Sequence, residues 1–472
     1  MGFETEYLEE ADLQFAGGES KDPRVGLIKF GPRTPESKND HKVAKIGIVG
    51  SAESIAGVEE LLHQMKTEIP PDTSQQRWNP PFPGLGEDSP LNLTLEVQKR
   101  WREKIESDEI EEVEESGSVN KKVEKAISIF EDKIQLIYEK ESPPDVIIVA
   151  IPPRIYEACT SSKKGAAKIQ SDDIDFHNRI KLIGMEHKLP TQLIKPKTLR
   201  REETQSLANI AWNFAVGLMY KARRGHPWKL TELEQGTCFV GISFYREMGE
   251  KERARTSMAQ VFLETGESFI LRGDPLEDEK LGKSPGNYHL TENDAKKLIN
   301  KVLDQYKSIK GHYPNRLVIH KTSKFWEEEK EGFIEASSEL KERDFITIHE
   351  HTDVRAFSSK KHDYPVLRGT VAKHDSGQEF YLFTKGFIPS IQTFPGHRVP
   401  KPIRIRPDEE VNDSNYRKIC KEILSFTKLD WNTSHFCRKM PVTTVVSDSV
   451  GDILADSSAK NVKVDPHYYY YM

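Results

Sequence analysis

Residues 146–151 read Val-Ile-Ile-Val-Ala-Ile, a run with no polar position, and Pro152 and Pro153 stop it. Successive side chains of a strand point to opposite faces, so a strand with one wet face alternates apolar and polar residues. A strand without alternation needs an apolar cover on both faces, the environment of a parallel sheet flanked by helices. That one run directs the chain toward a layered α/β fold. Its surroundings agree. Lys45–Val49 (KIGIV) is a second strand-like run, followed by Gly50, Ser51 and an amphipathic segment, Ala52–Met65, with helical spacing. After a Pro/Gly-rich loop over 79–90, the periodicity predicts a helix over 119–138 with Ile127, Ile129, Phe130, Ile134 and Ile137 as its apolar set. Residues 1–230 are read as one Rossmann-like α/β domain.

Beyond Pro227 and Trp228 the pattern changes. Three strand candidates follow in succession, 238–246, 257–264 and 268–272, then a helix over 292–306. A strand over 316–320, a helix over 325–341, a strand over 345–350 and a late helix over 416–427 continue the alternation. Three antiparallel strands followed by α/β units is the order of an RNase H-like fold, an order that does not single it out. The predicted fold class is thus α/β, a Rossmann-like domain over 1–230 followed by an RNase H-like domain over 231–472.

The chain of 472 residues is 36% hydrophobic and 31% charged, enough for two or three cores. No apolar run approaches the roughly 20 residues that span a bilayer. The opening MGFETEYLEE is acidic where a secretory leader is basic and then apolar, so the reading places the protein in the cytoplasm. Cys159, Cys238, Cys420 and Cys437 lack CxxC spacing, which argues against a disulfide framework or a structural zinc site.

Net charge is −6, but it is unevenly spread. Between Trp101 and Ser118 eight acids face two bases, and this run is read as a flexible insertion. Between Arg179 and Lys229 eleven Lys or Arg face three acids, a local +8 that can form a phosphate-attracting surface or simply a solvated helical face.

Within that basic stretch, Phe176–Leu199 (FHNRIKLIGMEHKLPTQLIKPKTL) carries His177 and Lys181 four residues apart, which puts both on one face of a helix. Gln192 follows eleven residues after Lys181 at the start of an extended run, and Lys221 ends the helical pattern NIAWNFAVGLMYK. A phosphate suits that mixture, because cations neutralise its charge while an amide adds hydrogen bonds without further repulsion. Spacing alone equally fits surface residues of two amphipathic helices.

These residues resemble an Argonaute MID domain, in which a basic or aromatic residue, a lysine four later, a glutamine about eleven later and a second lysine grip the guide's 5′ phosphate. His177, Lys181, Gln192 and Lys221 stand at those positions, and DPRVGLIKFGP (22–32), LPTQLI and YKARRGHPWKL resemble neighbouring family segments. Family members often carry Gly-Gly after the second lysine, where Arg223 and Arg224 stand here. The resemblance also implies a Mg2+ ion beside the phosphate, held by Gln192 and by a C-terminal carboxylate at Met472.

The second half resembles PIWI with its catalytic carboxylates degenerate. VGISFY places Ser243, and LVIHKTSKF places Thr322, where the family's first two catalytic aspartates belong. The stretch Leu429–Val450 resembles the family's guide-contacting C-terminal segment and sets Asp448 at the fourth position. Glu264, Glu267, Glu277 and Glu279 are the candidates for a relic of the family's mobile glutamate. Active PIWI domains hold two metal ions on carboxylates, and hydroxyls do not replace anionic ligands for hard cations, so the reading expects no cleavage. The resemblance covers about Ala11 to the C-terminus and leaves no room for N and PAZ domains, the architecture of short prokaryotic Argonautes. It implies a 5′-phosphorylated guide RNA, a single-stranded DNA target, and a heterodimer with an APAZ-bearing effector, a sirtuin-like or TIR NADase. Together they would deplete NAD in abortive-infection defence against plasmids and phages, oligomerising on activation. Two alternatives stay open at this point: a PIWI nuclease with a displaced metal site, and an α/β protein that binds no nucleic acid.

Overall fold

The computed structural model describes residues 2–33, 42–71, 79–160, 176–202, 205–223, 225–246, 255–263, 268–275, 289–357, 363–374, 377–394, 396, 398–454 and 465–472. The run 146–150 is the centre of a parallel sheet, as its lack of alternation requires. Its strands lie in the order Leu93–Glu96, Lys42–Gly50, Val146–Ala150 and Thr191–Ile194, and Arg102–Lys104 pairs with the far end of Lys42–Gly50. The two faces are covered by different residues of the same strand. Val146, Ile148 and Ala150 pack with Val58 and Leu61 of the helix Ala52–Gln64 and with Ala211 and Ala215 of the helix Leu207–Arg223. Ile147 and Val149 pack on the other side with Ile127 and Phe130 of the helix Val119–Tyr138 and Ile180 of the helix Phe176–Glu186. Each such fully buried Ile or Val contributes roughly 1.5–3 kcal/mol.

A second sheet has nine strands, in the order Phe3–Tyr7, Thr370–His374, Phe380–Leu382, Ile403–Asn412, Glu342–His349, Arg316–Lys321, Thr237–Arg246, Arg255–Leu263 and Ser268–Pro275. The last three form the antiparallel meander expected from the sequence, and Thr237–Arg246, Arg316–Lys321 and Glu342–His349 run parallel. Helices Glu292–Lys310 and Glu327–Ala336 cover one face, and Tyr416–Phe426 and Val442–Leu454 the other. Gly241 lies under the last helix so closely that a Cβ there would stand 1.7 Å from the Thr443 carbonyl oxygen.

A chain boundary at 230 separates the large sheets with one departure. The first strand, Phe3–Tyr7, pairs with Thr370–His374 and so belongs to the second sheet. The following residues then cross over. Leu13–Gln14 joins Glu19–Ser20 and Lys229–Leu230 in a three-stranded sheet between the halves. Glu10, buried, anchors this crossing by ion pairs to Arg368 and Lys428, both buried as well.

The acidic run is not a loose insertion. Residues Ser107–Glu115 form a helix with six acids, three of them paired from outside the run: Glu109 with Lys133 at 2.8 Å, Glu112 with Lys125 at 2.6 Å and Glu114 with Arg154 at 2.5 Å. Ile110 and Val113 bury the inner face against the same core as Ile127 and Phe130. The four cysteines are free, and none of the described helices is long and apolar enough to cross a membrane.

Candidate nucleic-acid interface

His177 and Lys181 lie on the helix Phe176–Glu186, Gln192 on the strand Thr191–Ile194, and Lys221 in the last turn of the helix Leu207–Arg223. The sheet and the helices packed on it bring them together. His177, Lys181, Gln192 and Met472 border one cavity of about 720 Å3, and Lys221 reaches it through Gln192, donating to its Oε1 at 2.6 Å. His177 is exposed at the mouth.

The local +8 divides between surface and interior, with Lys188, Lys195, Lys197, Arg200 and Arg201 exposed. Lys181 and Lys221, 2% and 0% exposed, are turned inward, because their helices bury the faces that carry them. Lys181 Nζ donates to the Thr191 carbonyl at 2.6 Å. Neither lysine forms an ion pair with a carboxylate among the described residues. Burial pushes the Lys221 ammonium down to about 7, and burial together with repulsion from Lys221 holds Lys181 well below the usual lysine range. The two buried amines hydrogen-bond to each other and otherwise only to an amide oxygen and a carbonyl, so positive charge taken up there has no carboxylate to compensate it among the described residues. Anion binding is what this arrangement can do.

The last residues of the chain complete one wall. Tyr468, Tyr469, Tyr470 and Tyr471 are all buried; Tyr468 and Tyr469 pack around Tyr220, the neighbour of Lys221, and Tyr220 also packs on Trp431. This tail carries Met472 into the cavity from the other half of the chain. Sequence reasoning did not single out Tyr156, Phe176, Lys195 or Asn432, which line the same space. Tyr156 stands on the helix that Pro152 and Pro153 open, a signal available in the sequence; Asn432 lies 240 residues from Gln192, and only the fold brings it there.

The residues that follow Asn432 in the same loop, Thr433 to Met440, wall a second cavity of about 600 Å3 together with Arg24 and Lys385 and the acids Asp22, Glu350 and Asp430. Arg24 is 4% exposed. Its Nε donates to Ser434 and its Nη1 to Asn79, both at 3.0 Å, while its Nη2 is buried without a hydrogen-bond partner among the described residues. Burial pushes its guanidinium down to about 10.

Ser243 and Thr322 mark the ends of neighbouring parallel strands. Ser243 is buried, with its Oγ unpartnered among the described residues, while Thr322 is exposed one residue beyond Arg316–Lys321. Lys321 is turned inward and pairs with the buried Glu329. Asp448 falls on the helix Val442–Leu454, its side chain outside the described residues, as are Glu264, Glu267, Glu277 and Glu279. Among the described residues no group of three His, Cys, Asp or Glu is placed to hold a metal.

A Piwi domain matches residues 168–443, more than half of the chain, and the chain belongs to that family. The match starts just before His177 and includes His177, Lys181, Gln192, Lys195 and Asn432 of the cavity lining, while Tyr156 and Met472 lie outside it. Solved structures agree on the fold. Clostridium butyricum Argonaute, bound to a guide DNA and a 19-mer target DNA, is 16% identical with a TM-score of 0.66, over 96% of this chain and 53% of that one. Drosophila Piwi is 14% identical with a TM-score of 0.61, over 99% and 56%. A. aeolicus Argonaute is 16% identical with a TM-score of 0.58, over 99% and 55%. The chain thus has an Argonaute-like α/β fold and spans about half the length of these structures. No curated protein matches it in sequence.

Proposed function

We propose that this chain holds a guide strand by its 5′ phosphate and presents it to a single-stranded DNA target without cutting the target. The observation that carries the reading is the convergence of Lys181, Lys221 and Gln192 at one cavity, with two buried amines and no carboxylate partner among the described residues. A phosphate entering there meets charge-assisted donors in a low-dielectric site, where such hydrogen bonds are strongest. His177 at the mouth adds a further donor. Arg24 and Lys385 in the second cavity offer cationic donors for a further phosphate of the strand. Clostridium butyricum Argonaute carries a guide DNA; the resemblance read from this sequence favours an RNA guide, and the assay compares both.

A Mg2+ ion beside the phosphate would be held by Gln192 and by a terminal carboxylate at Met472. Both residues border the cavity and offer oxygen donors of the kind hard cations take. When bound, the ion offsets phosphate charge. The protein's own share is fixed by Lys221, which already orients the Gln192 amide.

Cutting is not part of this reading, since hydroxyls stand at 243 and 322 where two metal-bridging anions are needed. Recognition becomes an output through a second protein, an APAZ-bearing sirtuin-like or TIR effector whose NADase activity is released when the target pairs. A switch needs only that the target bind one of two states better. The test loads the chain, alone and with the effector encoded beside it, with 5′-phosphorylated RNA or DNA guides and adds complementary DNA with magnesium. The expected result is captured, full-length target and NAD loss only with effector and target together. Guided cleavage of the target would contradict the inert reading, and NAD loss without target would contradict the switch.

A further inference from the structure

Cys437 borders the cavity of about 600 Å3 that Arg24 and Lys385 share, and it is only 5% exposed, so a reagent reaches its sulfur through that cavity. Its Sγ donates to the Thr384 carbonyl at 3.6 Å and accepts from Lys385 Nζ, also at 3.6 Å. Arg368 and Lys428 interact electrostatically with the same sulfur, and the two share one carboxylate, Glu10. The acids of the cavity wall are each engaged. Asp22 accepts from the main-chain N–H groups of Arg24 and Val25, Asp430 pairs with Arg438, and Glu350 pairs with Lys439 at 3.7 Å. Arg24 and Lys385 stand in the wall without a carboxylate partner among the described residues, and Arg24 Nη2 is buried with no acceptor there. The other thiols are set differently. Cys238 and Cys420 lie in packed cores, and burial pushes the Cys159 thiol up to about 11.

We propose that Cys437 is a site of reversible S-thiolation, taking a carboxylate-bearing thiol from a small anionic disulfide of the glutathione class, with Arg24 holding a carboxylate of the attached group. Reactive cysteines sit in electropositive surroundings that a reagent can enter. The Cys437 sulfur, its proton released, attacks one sulfur of the disulfide. A new S–S bond forms, the S–S bond of the reagent breaks, and the leaving sulfur departs with the electron pair and takes up the proton. Cys437 is thereby oxidised and the departing half reduced, and a second thiol reverses the step. Arg24 selects the reagent, because an unused guanidinium N–H in a buried wall forms a strong charge-assisted bond to a carboxylate, and a neutral disulfide gains nothing from it. The attached group fills the space offered to a further phosphate; that consequence rests on the function proposed above, whereas the site itself does not.

The test incubates the native full chain with oxidised glutathione or with the neutral hydroxyethyl disulfide and follows adducts by intact-mass and peptide-mass spectrometry. Oxidised glutathione is expected to place one group on Cys437, removed by dithiothreitol and absent in Cys437→Ser. Arg24→Gln should slow that reaction about tenfold, the loss of one charge-assisted hydrogen bond. Its rate with hydroxyethyl disulfide should stay unchanged, which also establishes that the cavity is intact. Lys385→Gln removes the cation at the sulfur itself and should slow both reagents. Attachment at Cys159 or another cysteine in place of Cys437, or no attachment to the native chain, would overturn the proposal. So would a wild-type rate with oxidised glutathione in Arg24→Gln, or wild-type rates with both reagents in Lys385→Gln.

Discussion

Replacing Lys221 by methionine separates the cost of this site from its use. Lys221 is fully buried, and its ammonium is displaced from the ordinary 10.5 to about 7. At about 1.4 kcal/mol per pH unit, the charged form is disfavoured by about 5 kcal/mol relative to the unfolded chain. Methionine fills a similar volume and removes that cost. It also deletes the hydrogen bond to Gln192, a loss of about 2 kcal/mol for a charged donor. The net gain is about 3 kcal/mol. For 472 residues the unfolding entropy amounts to about 1 kcal/mol per degree, so Tm of the empty protein should rise by about 3 °C at pH 7. The sign follows from proton counting: between pH 7 and 10.5 the unfolded chain binds more protons at this position than the folded one, so wild-type stability rises with pH there. The advantage of methionine is therefore full at or below pH 7, falls by about 1.4 kcal/mol per unit above it and is gone near pH 9. Differential scanning calorimetry at pH 7 and pH 9 measures it, and the same variant should lose the affinity gained from a 5′ phosphate. A variant less stable than wild type at pH 7 would refute the reasoning, making Lys221 a structural group rather than a strained cation kept for a ligand.

Three further predictions follow the same geometry. The affinity gained from a 5′ phosphate should peak between about pH 6 and 7, because the phosphate becomes dianionic near 6 and Lys221 loses its proton above about 7 in the empty site; titration calorimetry across pH reads this, and a gain still rising at pH 9 would contradict it. Gly241→Ala should destabilise by about 3 kcal/mol, because its Cβ meets the Thr443 carbonyl and displaces the helix Val442–Leu454; chemical denaturation should show it. Glu10→Gln leaves the buried Arg368 and Lys428 without their carboxylate and should cost about 3–5 kcal/mol, seen as earlier thermal unfolding and faster proteolysis near the N-terminus.

Elements with long periodic signals were legible in the sequence. The helix Val119–Tyr138 has the predicted bounds, and the run at 146–150 declared both its strand and its doubly covered sheet. The strands Thr370–His374, Phe380–Leu382 and Ile403–Asn412 were not predicted. Two are short, and the third, IRIRPDEEVN, carries charge along its open side. Phe3–Tyr7 alternates clearly, yet its partner lies more than 360 residues away, a pairing that local pattern does not encode. At the site, spacing and resemblance together named Lys181, Gln192 and Lys221, and charge counting placed the basic stretch at the surface, where Lys188, Lys195, Lys197, Arg200 and Arg201 lie but Lys181 and Lys221 do not. Whether a lysine faces water or the interior depends on which helix face the sheet takes up, and that is decided by tertiary packing. Asn432 could not be assigned to the cavity from sequence for the same reason, whereas the resemblance did bring Met472, at the end of the tyrosine tail, to it.

The central claim is tested most directly by measuring the affinity of one labelled single-stranded RNA with a 5′ phosphate and with a 5′ hydroxyl, for wild type, Lys181→Ala and Gln192→Ala. The account predicts tighter binding of the phosphorylated strand by wild type, a gain that weakens with salt and disappears in both variants while their binding of the hydroxyl strand is unchanged. Equal affinity of wild type for the two strands would contradict it.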